Sequence, residues 1–235
     1  MQSPFQNLTP VVKNLLIINL ICFLPFIFFS EAQYSELVLK NCSLFYFDSQ
    51  FFKPWQIVTY MFFHGGWTHI LFNMFALFSF GPILEYTVGS KKFFNLYFIS
   101  GIGAALFQLL VMGIEMYHYS GGHITISGIT STDLGTVEKI KDLYTTPILG
   151  ASGAIFGILI AFGMLYPNME LMILFIPVPV KAKYIIPIYV VIELFLGFGQ
   201  FAGDNVAHFA HIGGALVGFI VVKSWNINKN NNNYR

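Results

Sequence analysis

The sequence predicts an all-α fold, a polytopic membrane protein of six transmembrane helices with an interfacial first loop, and three observations carry that prediction. Apolar residues make up 56% of the 235 residues and charged residues only 10%, with 27 Phe among them, far from a soluble globular average. Apolar runs long enough for a helix to cross a hydrocarbon core of about 30 Å, which takes roughly 20 residues, recur along the chain between short polar or basic turns. Ionisable groups inside those runs are few, and each costs at least about 2.5 to 3.5 kcal/mol at bilayer depth, so they mark where function should reside. The net charge of +1 comes with no basic patch, so a nucleic-acid partner is not expected, whereas membrane lipid is. Cys22 falls in a run and Cys42 in a loop, which argues against a disulfide framework.

Residues 11–30 form the first run. Ser30-Glu31-Ala32 has a weak resemblance to a signal-peptidase site, but the run is long and its basic leader is only Lys13, so it reads as a span. Residues 31–66 mix five charges with Phe45, Tyr46, Phe47, Phe51, Phe52 and Trp55, which suits a segment lying at headgroup depth. The second span covers about residues 67–86, and Gly89-Ser90-Lys91-Lys92 makes a basic turn into a third over residues 93–116. Residues 117–148, with Ser120-Gly121-Gly122 and a charged patch from Glu138 to Asp142, read as a water-exposed loop. The fourth span starts at Gly150-Ala151-Ser152-Gly153-Ala154-Ile155-Phe156-Gly157 and ends at Tyr166-Pro167-Asn168. Pro177, Pro179, Lys181 and Lys183 make residues 171–180 an interfacial turn, followed by a fifth span over residues 184–201 and a sixth over about residues 207–225. Residues 1–225 thus read as one six-helix transmembrane domain, and the Asn-rich tail, residues 226–235, as disordered.

An even number of spans puts both termini on one side, and lysine and arginine choose it. Lys13, Lys91, Lys92, Lys181, Lys183, Lys223, Lys229 and Arg235 lie on one face, against Lys40, Lys53, Lys139 and Lys141 on the other. Eight against four predicts cytoplasmic termini, here in a bacterial inner (plasma) membrane, with Ser152 near the outer face.

A serine between glycines at the head of a bilayer-compatible helix has a packing explanation, because small residues let helix backbones touch and Gly153 with Gly157 makes a small-xxx-small pair. The polar groups at the same depth add a chemical one. His69 and Asn73, four apart, share one helix face, and both lie within about two turns of the outer end, as do Ser152 and His211 in their spans. A serine hydroxyl becomes a useful nucleophile when a base takes its proton, and histidine is the natural base near neutral pH. Gly214 and Gly218 would let the sixth helix approach Gly153 and Gly157 closely enough for His211 to reach Ser152. His69, Asn73 and the Ser152 backbone N–H supply candidate donors for an oxyanion. No carboxylate is expected at that depth on those faces, which predicts a Ser152/His211 dyad and no triad. Glu193, deep in the fifth span, is either protonated or turned to the helix cluster, with no role assigned.

At these residues the chain resembles the rhomboid intramembrane serine proteases. Gly150-Ala151-Ser152-Gly153 is similar to their GxSG, Ala210-His211-Ile212-Gly213-Gly214 through Gly218 to AHxxGxxxG, and His69-Ile70-Leu71-Phe72-Asn73 to HxxxN, in order on the second, fourth and sixth spans over roughly residues 10–225. The resemblance implies a rhomboid-like bundle in which Ser152 is the nucleophile, His211 the base and then acid, and His69 and Asn73 oxyanion-site donors. It implies peptide-bond hydrolysis in transmembrane protein substrates near the outer face, with no metal or cofactor; the substrates would be helices with small or helix-destabilising residues, arriving past a mobile fifth span. His64 and Trp55 match loop positions of structural character. Phe156 stands where many members have Tyr, and one turn after Ser152 it can still stack on His211. Trp55-Gln56 replaces a frequent Trp-Arg pair, leaving that arginine's hydrogen bonds unassigned.

Other readings compete. Glu85 is a structural hydrogen-bonding group, His208 lines the outer mouth of the cavity or snorkels to water, and His118 and His123 are solvated. His64, His69, His208 and His211 can also be grouped as a metal cluster, but without HExxH or a carboxylate that grouping leaves Ser152 idle. A catalytically inactive rhomboid-like chaperone or binding scaffold is the remaining alternative, and such a protein would be expected to have lost the serine or the histidine.

Overall fold

The computed structural model describes residues 8–126, 133–173, 176–199 and 206–225; the tail expected to be disordered lies outside them. Among the described residues seven main helices, all apolar except α4, run α1 (Pro10–Phe28), α2 (Trp67–Val88), α3 (Ser90–Tyr119), α4 (Leu134–Thr145), α5 (Ser152–Leu165), α6 (Ala182–Gly199) and α7 (His208–Ser224). Strands β1 (Glu170–Ile173) and β2 (Ile176–Lys181) precede α6. Among the described residues, α1, α2, α3 and α6 are long and apolar enough to cross a membrane, while α5 and α7 are apolar but shorter, at 14 and 17 residues. At about 1.5 Å per residue α5 reaches only about 21 Å. It can be short because it is the central helix, packed on α3 and α7, so its ends meet protein where an outer helix would meet lipid.

Burial separates the inner helices from the outer ones. Gly153, Ala154, Ile155, Gly157, Ile158, Ala161 and Phe162 of α5 are buried, whereas α1 exposes Ile17, Leu20, Ile21 and Leu24, and α6 exposes Ile188, Val191, Phe195 and Phe198. A surface of such side chains is stable only against hydrocarbon. The chain is an integral membrane protein.

Contact between α5 and α7 is made by backbone on backbone. A Cβ added to Gly214 would lie 1.9 Å from the Gly153 carbonyl oxygen, and one on Gly218 would lie 2.5 Å from the Gly157 Cα. Helix α3 closes the third side: a Cβ on Gly157 would meet Ser100 Oγ at 2.2 Å, and one on Gly153 would meet the Ala104 Cβ at 2.6 Å. The expected glycine packing is therefore present and includes a third helix.

At the other end of the molecule Glu85 is structural, as expected. Its carboxylate accepts from the Val11 and Val12 N–H groups at 3.0 and 2.9 Å and from Ser90 Oγ at 2.6 Å, satisfying the free donors at the start of α1 and favoured by that helix's dipole. Gly89, with φ of 83°, makes the tight reversal between α2 and α3 that other residues would resist.

Two segments differ from the sequence reading. Where a turn was expected over residues 171–180, the described residues on either side of 174–175 pair as antiparallel strands β1 and β2, Leu171 with Val180 and Met172 with Pro179. Both strands of a two-stranded sheet are edges, so the prolines of β2 leave no interior ladder bond unmade. Within the 117–148 loop lies α4, capped by Asp133, whose carboxylate accepts from the Thr136 N–H at 2.8 Å. That cap, with Val137, Ile140 and Tyr144 at helical spacing, is the signal for it in the sequence.

The first loop and this second one are bound together. Leu44 and Ile148 exchange backbone hydrogen bonds of 2.8 and 2.9 Å, Ser49 Oγ donates to the Tyr144 carbonyl at 2.6 Å, Tyr46 donates to the Ile124 carbonyl at 2.7 Å, and the Tyr144 hydroxyl donates to Asp48. Gln56 is fully buried; its amide donates to the Lys40 and Phe51 carbonyls at 3.1 and 2.9 Å and accepts from the Lys53 N–H at 3.0 Å. This neutral side chain braces the loop at the position where the resemblance would have put an arginine. Gly218→Val should lower the thermal midpoint in detergent by the equivalent of at least about 1–3 kcal/mol, the usual range for overpacking; Leu216→Val, on the exposed face of α7, should leave it nearly unchanged.

Candidate active site

Ser152 is the first residue of α5, and the turn before it is built to put it there. Gly150 has φ of 129°, its N–H donates to the Tyr60 carbonyl at 2.9 Å, and a Cβ at that position would lie 2.6 Å from His69 Nε2 and 3.7 Å from Ser152 Oγ. Only glycine satisfies both the backbone angle and the close approach of His69. Tyr60, itself buried, is pinned by its hydroxyl to the Gly101 carbonyl at 2.7 Å, so the turn rests on α3.

His211 lies in the first turn of α7. Its Nε2 is 2.7 Å from Ser152 Oγ, a normal hydrogen-bond distance, and its ring stacks on Phe156 with centroids 4.5 Å apart and planes 8° from parallel. The predicted partners are therefore in contact, and Phe156 packs where it was expected.

The expectation that no carboxylate reaches this depth is wrong. Glu193, on α6, places Oε2 2.8 Å from His211 Nδ1 and 2.6 Å from His208 Nδ1. The error has a physical origin: α6 packs on α7 with Glu193 facing it, and which face of a helix meets which neighbour is set by packing that a count of residues from the span's end does not contain. A usable signal exists in the sequence, because an intramembrane carboxylate needs a partner and histidines 208 and 211 share one helix face. His208 is buried and does not snorkel.

His69, Asn73, Ser152 and His211 all line one cavity of about 1320 Å³, with Tyr60 and Gly150 on its wall and Lys139 and Asp142 of α4 at its rim. Asn73 Nδ2 donates to the His69 carbonyl at 3.0 Å, which fixes the amide along α2 and leaves its second N–H for another acceptor. The first-turn N–H groups of α5, Ser152 among them, have no partner within their own helix and present positive charge density to the same cavity. Water and a carbonyl oxygen are the kinds of group such a lining receives.

As for a metal, Glu193, His208 and His211 hold three ligand-type atoms within 4.8 Å of one another, a set different from the four histidines considered from sequence. These atoms already pair with one another through hydrogen bonds, and His64 instead packs edge-on against His69 with centroids 5.0 Å apart. The exposed His118 and His123 stand outside the site.

A helical membrane protein that seats a serine hydroxyl against a histidine at the wall of a cavity, at the start of a helix, has the arrangement of a membrane-embedded serine hydrolase. Comparison with known proteins places it more closely: residues 52–224 match the Rhomboid domain, and the chain belongs to the rhomboid family. It is 32% identical to Rhomboid protease AarA of Providencia stuartii over 84% of this chain and 76% of that protein. It is 31% identical to the mitochondrial Rhomboid protein 1 of Saccharomyces cerevisiae over 74% of this chain and 42% of that protein, and 29% identical to the mitochondrial RHOMBOID-like protein 12 of Arabidopsis thaliana over 70% and 44%. The chain thus spans less than half the length of the two mitochondrial relatives. At the level of the family, the activity is intramembrane proteolysis by a serine protease.

His64, fully buried in the turn before α2, carries a testable consequence for stability. Burial, and secondly the nearby His69, push its pKa from 6.5 down to about 3. As pH falls from about 6.5 towards 3 only the unfolded chain takes up this proton, so stability is lost across that window. His64→Gln should flatten the decline of thermal midpoint with acidification relative to wild type; parallel curves would exclude the effect.

Proposed function

We propose that this chain is an intramembrane serine endopeptidase that cleaves transmembrane segments of membrane proteins near the outer face, through Ser152 and His211. The observation that carries this reading is the 2.7 Å contact between His211 Nε2 and Ser152 Oγ at the wall of a cavity that His69 and Asn73 also line. His211 takes the Ser152 proton as Oγ attacks the scissile carbonyl carbon, and the C–O bond forms while the carbonyl π bond becomes an oxyanion. The amide C–N bond then breaks, and His211 returns that proton to the leaving nitrogen. Water, activated by the same imidazole, releases the acyl group and regenerates Ser152. His69, the second Asn73 N–H and the Ser152 backbone N–H are the donors for the oxyanion.

The setting supports the same reading. All six apolar helices, including the short α5 and α7, are taken to cross the bilayer, as one domain over residues 1–225, with the lysine and arginine bias putting both termini in the cytoplasm of a bacterial inner membrane. A short central helix then starts below the outer surface, in protein, where irregular backbone and water are tolerated only around a cavity. Transmembrane proteins are the substrates, lipid is the solvent, and no cofactor is required by the chemistry. The inactive-scaffold alternative gives no reason for the Ser152–His211 hydrogen bond.

With protein in detergent and a single-span substrate, Ser152→Ala and His211→Ala should each reduce cleavage at least about 10³-fold, while a chelator leaves it unchanged. Cleavage that survives Ser152→Ala and stops with chelator would replace the serine with a metal. Asn73→Ala and His69→Ala should each lower kcat, with KM little changed, by up to about 10²–10³-fold, the effect of losing one oxyanion donor; an effect confined to KM would assign them to substrate binding.

A further inference from the structure

Resting on the protease reading, the structure points to a role for Glu193: we propose that it is the positioning residue of the site, holding His211 in the one tautomer and ring orientation that can activate Ser152, with His208 holding Glu193 in place. A neutral imidazole carries one proton, on either nitrogen. With the proton on Nε2 the ring would donate to Ser152 Oγ and have no lone pair to accept from it. The base needs the proton on Nδ1.

Stacking on Phe156 does not make that choice. Planes 8° from parallel fix the plane of the ring, but a half-turn within its rotamer, or a shift of tautomer, leaves the stack intact. Glu193 makes the choice. One oxygen, Oε2, lies 2.8 Å from His211 Nδ1 and 2.6 Å from His208 Nδ1, and a carboxylate oxygen that receives two nitrogen donors is an acceptor for both. Nδ1 of His211 is then the protonated nitrogen, and Nε2 offers its lone pair to Ser152 Oγ at 2.7 Å.

The support is built from two helices. His208 and His211 are three apart on α7 and both buried, and the Glu193 side chain on α6 is only 13% exposed. When His211 takes up the Ser152 proton, the carboxylate faces the resulting imidazolium across the Nδ1–H bond. Glu193 neither gains nor gives a proton; the proton passes from Oγ to Nε2 and from Nε2 to the leaving nitrogen.

The test uses the full chain in detergent, comparing wild type with Glu193→Gln, Glu193→Asp and Glu193→Ala for cleavage of a single-span substrate, thermal midpoint, and the ¹⁵N resonances of the His211 ring. Glu193→Gln, equal in size, should keep the fold and KM within about twofold while kcat falls roughly 10²-fold, the low end of what a correctly placed acid–base group contributes. Glu193→Asp should recover part of the loss, and Glu193→Ala none. The His211 ring should read protonated at Nδ1 in wild type and mixed in Glu193→Gln. Wild-type kcat in Glu193→Gln, or an unchanged tautomer in every variant, would overturn the proposal, as would a kcat loss that only tracks the loss of folded protein. Should wild type cleave no substrate, the protease reading falls, and the tautomer readout still decides the role of Glu193.

Discussion

Everything at the site depends on how closely α5 and α7 approach. Gly214 rides on the Gly153 carbonyl and Gly218 on the Gly157 Cα, distances that no side chain larger than hydrogen permits. Lipid tails offer no hydrophobic drive for helix association, so such backbone contact has to be secured by van der Waals packing itself. Its consequence is chemical as much as mechanical. A serine and a histidine 59 positions apart in the chain meet at 2.7 Å only because the two helix axes are this near.

Around that contact the rest of the molecule supplies constraint in layers. Helix α3 presses Ser100 and Ala104 against the same glycines, and Tyr60 ties the turn ahead of Ser152 to Gly101. The two loops before α2 and before α5 are hydrogen-bonded to each other, and Gln56 braces the first from within, so the wall of the cavity is held from outside the helices. At the far end Glu85 ties the start of α1 to α2 and α3. The carboxylates of Glu85 and Glu193, costly in a membrane, both have their partners, one at the end of the bundle and one at the site.

Departures from the sequence reading are informative because each has one cause. The four candidate residues can be picked from the sequence because their spacing is helical and their depth can be counted from one end of a span; His69, Asn73, Ser152 and His211 do line one cavity. Glu193 is recognisable as a deep carboxylate but its partner is not, since reaching His211 depends on how α6 packs against α7. Helix α4 is masked by a polar composition, although Asp133 capping Thr136 and the apolar spacing behind it are present. The strand pairing at Leu171 and Val180 is masked by its prolines, which argue against a sheet interior but not against an edge.

By itself the sequence determined the features that local chemistry dictates: the membrane class from composition, the apolar helices from run length, and the serine, histidines and asparagine from their residue types and helical spacing. Tertiary structure decided which of these groups touch. It set the Gly153–Gly214 contact, turned Glu193 toward His211 and His208, let α5 be shorter than an outer helix needs to be, and joined the two loops into one cap. The division is physical. Propensity, hydropathy and capping act over a few neighbouring residues and are written in their order, whereas tilt, depth and contact between helices arise from packing among residues tens of positions apart.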